Sequence, residues 1–261
     1  MASIQKTPSS RWQVRYKDPD RKHRAKTFRR KVDAQKFLHE VQTTIAEDSY
    51  IAAERGAVDV PTRVQQNLDA RSDIGITTRN RTQGIINTHI SPKWSSVALS
   101  EVEHADVARG AKELIESGQS VRSAKKIINI ISASFDAAVR DRRVYSNPCQ
   151  GVKFPRPTPK AKIFLTAEQV EELAAATVDD RQALSVYTLA YCGLRWGELA
   201  GLRVQDFDPL RRRFNVEQTI VDDNGKTIVK PPKDHEIRSV PIPKFLVEKI
   251  AAHVRVQAAR T

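Results

Sequence analysis

The sequence predicts a mixed α+β, multidomain chain: a small basic β-sheet with one helix, an all-α segment, and then an α+β unit. Three observations carry this reading. Residues 11–28 alternate apolar with basic or polar side chains, the period of half-buried strands, and the period becomes helical from Val32. Between about 64 and 152 the apolar residues recur only at helical spacing. Beyond a proline-rich stretch at 153–162, two helical segments precede three strand-like ones and a last helix. A chain of 261 residues is also too long for one ordinary small domain.

The first segment, 1–55, reads as a three-stranded sheet plus helix. In RWQVRY, Trp12, Val14 and Tyr16 form one side of a strand; DPD at 18–20 is a turn signal, and HRAKTF at 23–28 returns. Ala34, Phe37, Leu38, Val41 and Ile45 then make one helical stripe. The chain holds 44 Lys and Arg against 31 Asp and Glu, a net charge of +13. Eleven of those cations fall within residues 1–31, against only Asp18 and Asp20. Such a balance favours a polyanionic partner, although a solubilising surface would look the same. Arg11, Arg15, Arg24 and Lys26 are expected to project from one sheet face, across which a polyanion could lie.

ERGAVDVPTR, 54–63, reads as a linker into the helical segment 64–152. There Ala124, Ile128, Ile131, Phe135 and Ala138 form a core stripe. Arg79 and Arg81, in TTRNRT, and Arg122, Lys125 and Lys126, in SVRSAKK, sit at predicted helix starts. Unpaired N–H groups and cationic side chains suit phosphate at such places. SNPC at 146–149 is expected to stop the last helix, and KFPRPTPKAK, 153–162, to act as a stiff spacer between domains.

The third segment, 163–261, opens with a capping box at Thr166 and Gln169, followed by helices over about 167–177 and 181–192. RRFNVEQTIV, GKTIVKPPK and IRSVPIP read as three strands with DDNGK as a hairpin turn, and Phe245, Leu246, Ile250 and Val254 stripe a final helix. Within YCGLRWGELA, Arg195 stands in a run that otherwise reads as the apolar face of a buried helix. Glu198, three residues on, makes a structural ion pair one reading of it, and an anion site is the other. Lys233, at a hairpin tip, could reach over a neighbouring helix, although an exposed hairpin lysine is usually only solubilising.

Cys149 and Cys192 are far apart and unaccompanied by histidines, which indicates neither a disulfide framework nor a metal site. No stretch approaches the ~18 apolar residues that span a bilayer, so a cytoplasmic chain without membrane association is expected.

The matching residues TLAYCGLRWGELAGLRVQD at 188–206 and KDHEIRSVPI at 233–242, with the upstream proline-rich joint, resemble the tyrosine recombinases, specifically the phage-type integrases. The resemblance implies an arm-type DNA-binding domain at 1–55, a helical core-binding domain at 64–152, a linker at 153–162 and the N-terminal half of a catalytic domain at 163–261. It implies site-specific recombination of double-stranded attachment-site DNA by oligomers in a bacterial host, associated with the nucleoid, with no metal, no cofactor and no small-molecule substrate. Arg195 matches an arginine that grips non-bridging phosphate oxygens, Lys233 a lysine that protonates the leaving oxygen, and Glu198 an acid that holds the arginine. The family pattern also requires a second arginine in a helical H-x-x-R, a further His or Trp, and a tyrosine nucleophile. His235 to Arg238 spells H-x-x-R within a strand-like stretch and is read as a decoy; tyrosines occur only at 16, 50, 145, 187 and 191. The expectation is a C-terminally truncated, cleavage-incompetent chain; the alternative is a DNA-binding remnant or regulator from a decayed prophage.

Overall fold

The computed structural model describes residues 2–47, 50–157, 161–223, 225–232 and 237–258. Strands β1 (Ser3–Lys6), β2 (Trp12–Lys17) and β3 (His23–Phe28) form an antiparallel sheet in chain order, and helix α1 (Lys31–Ala46) packs on β2 and β3. Val14 and Ala34 are fully buried between them, and the Tyr16 and Phe28 rings lie 6.0 and 5.1 Å from that of Phe37.

The register corrects the expected cationic face. Val14 pairs with Lys26 and Tyr16 with Arg24, so both cations belong to the side covered by α1. Lys26 lays its ammonium over the Phe37 ring, 4.7 Å from the centroid, and Arg24 donates to the buried Asp18 at 2.9 Å and pairs with Glu54. Arg15, with Gln13 and Lys17, occupies the opposite face beside Thr27, Ala25 and His23. Alternation assigns sides within each strand; only the register phases one strand against the next.

The expected linker at 54–63 is folded. Residues Ala53–Gly56 make a 3-10 turn, and α2 (Val60–Asp69) starts with Asp59 accepting from the Thr62 N–H at 2.9 Å. The Tyr16 and Tyr50 hydroxyls share a hydrogen bond of 3.0 Å, Arg55 reaches Asp20 at 3.3 Å, and the Ile51 N–H donates to the Tyr145 hydroxyl at 3.3 Å. Sheet and helices accordingly fall in one unit, Met1–Pro159.

The helices of that unit continue with α3 (Ile76–Ile85), α4 (Ser91–Trp94), α5 (His104–Glu116) and α6 (Val121–Arg140). Pro92, lacking an N–H, disrupts the ladder between α3 and α4, and a π-type turn at Ile86–Ile90 absorbs the disruption. The expected stripe of α6, from Ala124 to Ala138, is buried against Val60, Val64, Ile90 and Val107. α6 stops at Arg140, earlier than SNPC. Arg142 turns left-handed with φ 52°, and the N–H groups of Arg142 and Arg143 return to the carbonyls of Val139 and Ala138. Asn147 of SNPC instead ties the chain back, donating to the Ser132 carbonyl at 3.0 Å and to Asp136 at 2.8 Å. Val152 and Phe154 pack on the helical core, so the proline-rich segment begins as part of that unit and not as a separate spacer.

The second unit, Lys160–Thr261, holds α7 (Ala167–Ala175), α8 (Asp180–Cys192), α9 (Trp196–Gly201), β4 (Phe207–Asp208), β5 (Arg213–Val216), β6 (Thr219–Asp223), β7 (Lys226–Lys230), β8 (Arg238–Pro241) and α10 (Lys244–Ala258). Thr166 and Gln169 form the expected capping box. The strands depart from the sequence reading: RRFNVEQTIV breaks at Glu217 and Gln218 into β5 and β6. β4, β5 and β8 make one sheet, and β6 and β7 make a separate hairpin. Phe214, Val216 and Val240 of that sheet share a core with Val170, Leu194, Leu246 and Ile250. α10 packs on α8, with Leu246 fully buried and Phe245 edge-on to Tyr191 at 5.1 Å.

Candidate functional site

Arg195 does not lie inside a helix. α8 ends at Gly193, whose left-handed φ of 63° turns the chain, and Arg195 is the N-cap of α9. α9 can settle on β6 because its facing positions are glycines; a Cβ at Gly197 would stand 2.8 Å from the Ile220 carbonyl oxygen. This places Glu198, one turn into α9, in the interior, 1% exposed.

A carboxylate so placed needs all its lone pairs satisfied. Glu198 accepts four bonds: the Arg195 backbone N–H on Oε2 at 2.8 Å, Arg195 Nη1 on Oε1 at 3.0 Å, and a two-pronged grip from Arg238 of β8, with 2.7 Å on each oxygen. Burial opposes its ionisation, but the bonds from Arg238 and Arg195 outweigh burial and hold the carboxyl below the usual range. Glu198 thus shares its one negative charge between two guanidiniums, which leaves Arg195 with a surplus of positive charge. That surplus is accessible: the Arg195 side chain is 58% exposed. Among the described residues its Nε and Nη2 make no protein hydrogen bond, which leaves two parallel donors directed away from Glu198.

The segment repeats itself eight residues on, GLRWGEL followed by GLRVQDF, and Arg203 stands to Asp206 as Arg195 stands to Glu198. Arg203 donates to the buried Asp206 at 2.7 Å and to Glu217 at 2.6 Å, so two anions balance one cation there. Bonds from Arg203 overcome burial and keep Asp206 below its usual range. The second cluster is a structural pin; only the first can attract an anion.

Residues 2–47 match the family model described as phage integrase, N-terminal domain. The ICEBs1 integrase of Bacillus subtilis is 30% identical over 167 residues, covering 63% of this chain and 45% of that protein. The integrase of Mycobacterium phage L5 is 26% identical over 266 residues, covering 97% of this chain and 70% of that one. The chain is thus similar, over residues 2–47, to a phage integrase N-terminal domain and, over longer stretches, to proteins named as integrases and tyrosine recombinases. In fold, this chain is similar to the Tn1549 transposon integrase solved in complex with a circular intermediate DNA. The TM-score is 0.67 at 19% identity, covering 75% of this chain and 65% of that one. A λ integrase dimer bound to a COC′ core site gives 0.55 at 18% identity, covering 87% and 65%. A tyrosine recombinase XerC-like protein of Caldanaerobacter subterraneus is 31% identical over 172 residues, 59% of this chain and 44% of that protein. The chain therefore spans under half the length of its ICEBs1 and XerC-like relatives.

The other candidate residues are scattered over the fold. Lys233 lies outside the described residues, as does His235 of the H-x-x-R match. Arg11, just before β2, and Arg15, on the uncovered side of the sheet, are exposed, with Arg15 Nε bonded to Gln13 at 2.8 Å. Arg81, Arg122, Lys125 and Lys126 are exposed on α3 and at the start of α6, where Ser120 caps the Ser123 N–H at 3.0 Å. Arg79 has structural work instead: its guanidinium caps α2, donating to the Leu68 carbonyl at 3.1 Å and the Arg71 carbonyl at 2.6 Å. Sequence reasoning missed Arg238 by setting it aside with the H-x-x-R match. The signal that could have found it was Glu198: an acid in so apolar a run needs more donors than one arginine supplies. No helix among the described residues is long and apolar enough to cross a membrane.

Proposed function

We propose that this chain binds double-stranded attachment-site DNA and carries the phosphate-gripping part of a site-specific recombinase centre. The observation that carries the reading is the Arg195–Glu198–Arg238 cluster, a fixed guanidinium with a surplus positive charge at a helix corner. Its two outward donors suit the non-bridging oxygens of a phosphodiester, where charge develops as the bond is exchanged. The relatives and solved neighbours named as integrases, several of them bound to DNA, support the same assignment. In this reading residues 1–55 engage arm-type DNA through Arg11 and Arg15. Residues 64–152 engage core DNA through Arg81, Arg122, Lys125 and Lys126. Residues 163–261 present Arg195, with Lys233 as the proton donor to the leaving oxygen. Assembly as a homo-oligomer on paired DNA sites belongs to the same proposal.

Strand cleavage needs a nucleophile, and in this reading none of the five tyrosines serves as one. Tyr16 and Tyr50 bond each other, and burial pushes Tyr50 up. The Tyr187 hydroxyl donates to Glu171 at 2.6 Å, which raises it too; Tyr191 packs on Phe245, and Tyr145 accepts from the Ile51 N–H. These 261 residues are therefore proposed to bind DNA without forming a covalent adduct. Two measurements test the proposal. Duplex affinity should fall with log salt at about −0.9 per phosphate contacted, and binding unchanged between about 50 and 200 mM salt would refute the DNA assignment. A nicked suicide duplex should yield no adduct on a denaturing gel; an adduct would refute the binding-only part.

A further inference from the structure

We propose that Arg238 is a positioning residue for Arg195, acting through Glu198. The inference rests on the phosphate-gripping reading above and adds how the gripping side chain is held. Arg195 contributes only one guanidinium nitrogen, Nη1, to Glu198, at 3.0 Å. A single bond leaves a long side chain able to rotate about it. What fixes the direction of that bond is the plane of the carboxylate, and the Arg195 backbone N–H, which holds Oε2 alone at 2.8 Å, does not by itself set that plane. Arg238 does: its two terminal nitrogens meet the two carboxylate oxygens at 2.7 Å each, the parallel fork geometry that locks both planes together. Arg238 stands in β8, paired to Val216 of β5, so the fork is anchored in a sheet and not in the α8–α9 corner it serves. The remaining acceptor sites of Glu198 are then aimed at the Arg195 N–H and Nη1, both on α9's first turn.

The chemistry follows from the charge count. Arg238 shares the Glu198 charge, so the bond to Arg195 orients that guanidinium without drawing on the whole of that charge. Were Glu198 alone, the pair would be neutral and its pull on a phosphate weaker. A lysine at 238 would keep the charge and lose the fork, since an ammonium is a point donor.

The test uses the full chain and follows the Arg195 Nε–Hε signal by NMR, with inorganic phosphate as the probe. In Arg238→Lys the Arg195 side chain should lose order on the nanosecond timescale, and phosphate should bind about three- to tenfold more weakly, the ordering cost of one long side chain. In an Arg195→Ala background the further change Arg238→Lys should leave the remaining phosphate affinity unchanged. Arg195 order and phosphate affinity that survive Arg238→Lys would overturn the inference. The wild-type chain gives a second measurement that no folding defect can obscure: on acidification the Arg195 and Arg238 signals should change together as Glu198 takes up its proton, and independent transitions would also overturn it. If phosphate leaves the wild-type Arg195 signal unmoved, the anion-site reading fails, whereas the positioning claim is then decided by the order of Arg195 alone.

Discussion

Glu198→Gln perturbs the centre with almost no change in volume. The native carboxylate accepts four bonds at 1% exposure. A glutamine offers one oxygen, and its amide NH₂ would face an Arg238 donor where the native carboxylate has an acceptor. Removing one member of a buried pair costs about 3–5 kcal/mol. The guanidiniums left behind are partly solvated, with the side chains of Arg195 and Arg238 58% and 33% exposed, which reduces the loss to about 2–3 kcal/mol. In a unit of this size that corresponds to a melting temperature lower by about 10 °C. The pH dependence has a definite sign. Glu198 has a folded-state pKa below its ordinary 4.5, so the unfolded chain takes up the proton first as pH falls. Its contribution is present above the ordinary value and disappears as pH drops through the folded one, so the acid limb of the wild-type stability curve should be steeper than that of Glu198→Gln. Thermal melts of both chains at neutral and acidic pH decide the matter. A shift under about 2 °C with parallel acid limbs would refute the reasoning that this carboxylate is buried, ionised and saturated.

Three further outcomes follow from the packing. Arg15→Ala should weaken duplex binding and leave the melting temperature unchanged, while Arg24→Ala should lower the melting temperature by stranding the buried Asp18; equal effects on both readouts would contradict the register. Gly197→Ala should destabilise the second unit by about 1–3 kcal/mol, measured by denaturant unfolding, because its Cβ would meet the Ile220 carbonyl at 2.8 Å. Phe135→Ala, at 1% exposure in the helical core, should cost about 3–5 kcal/mol in the same assay.

The elements legible in the sequence were those whose cause is local. The stripe of α6, the capping box at Thr166 and the helix of residues 31–46 follow from spacing within one segment, and they stand as read. What the sequence left open needed a partner distant along the chain. The side of the sheet taken by Arg24 and Lys26 depends on register with β2, and the break between β5 and β6 depends on β8 pairing with β5. The centre shows the same division. Arg195 and Glu198, three residues apart, were readable as a pair, whereas Arg238 joins them from forty residues beyond Glu198. Gly193 is the exception that could have been read: a glycine before an arginine in an apolar run marks a helix end as readily as a buried helix.

The central claim is that Arg195, held by Glu198, grips a DNA phosphate. The most direct measurement is a titration of the full chain with duplex DNA, following the Nε–Hε signals of Arg195 and Arg203 by NMR. Arg195 should shift and broaden while Arg203, already balanced by Asp206 and Glu217, stays in place. An Arg195 signal that stays unmoved at saturating DNA would contradict it.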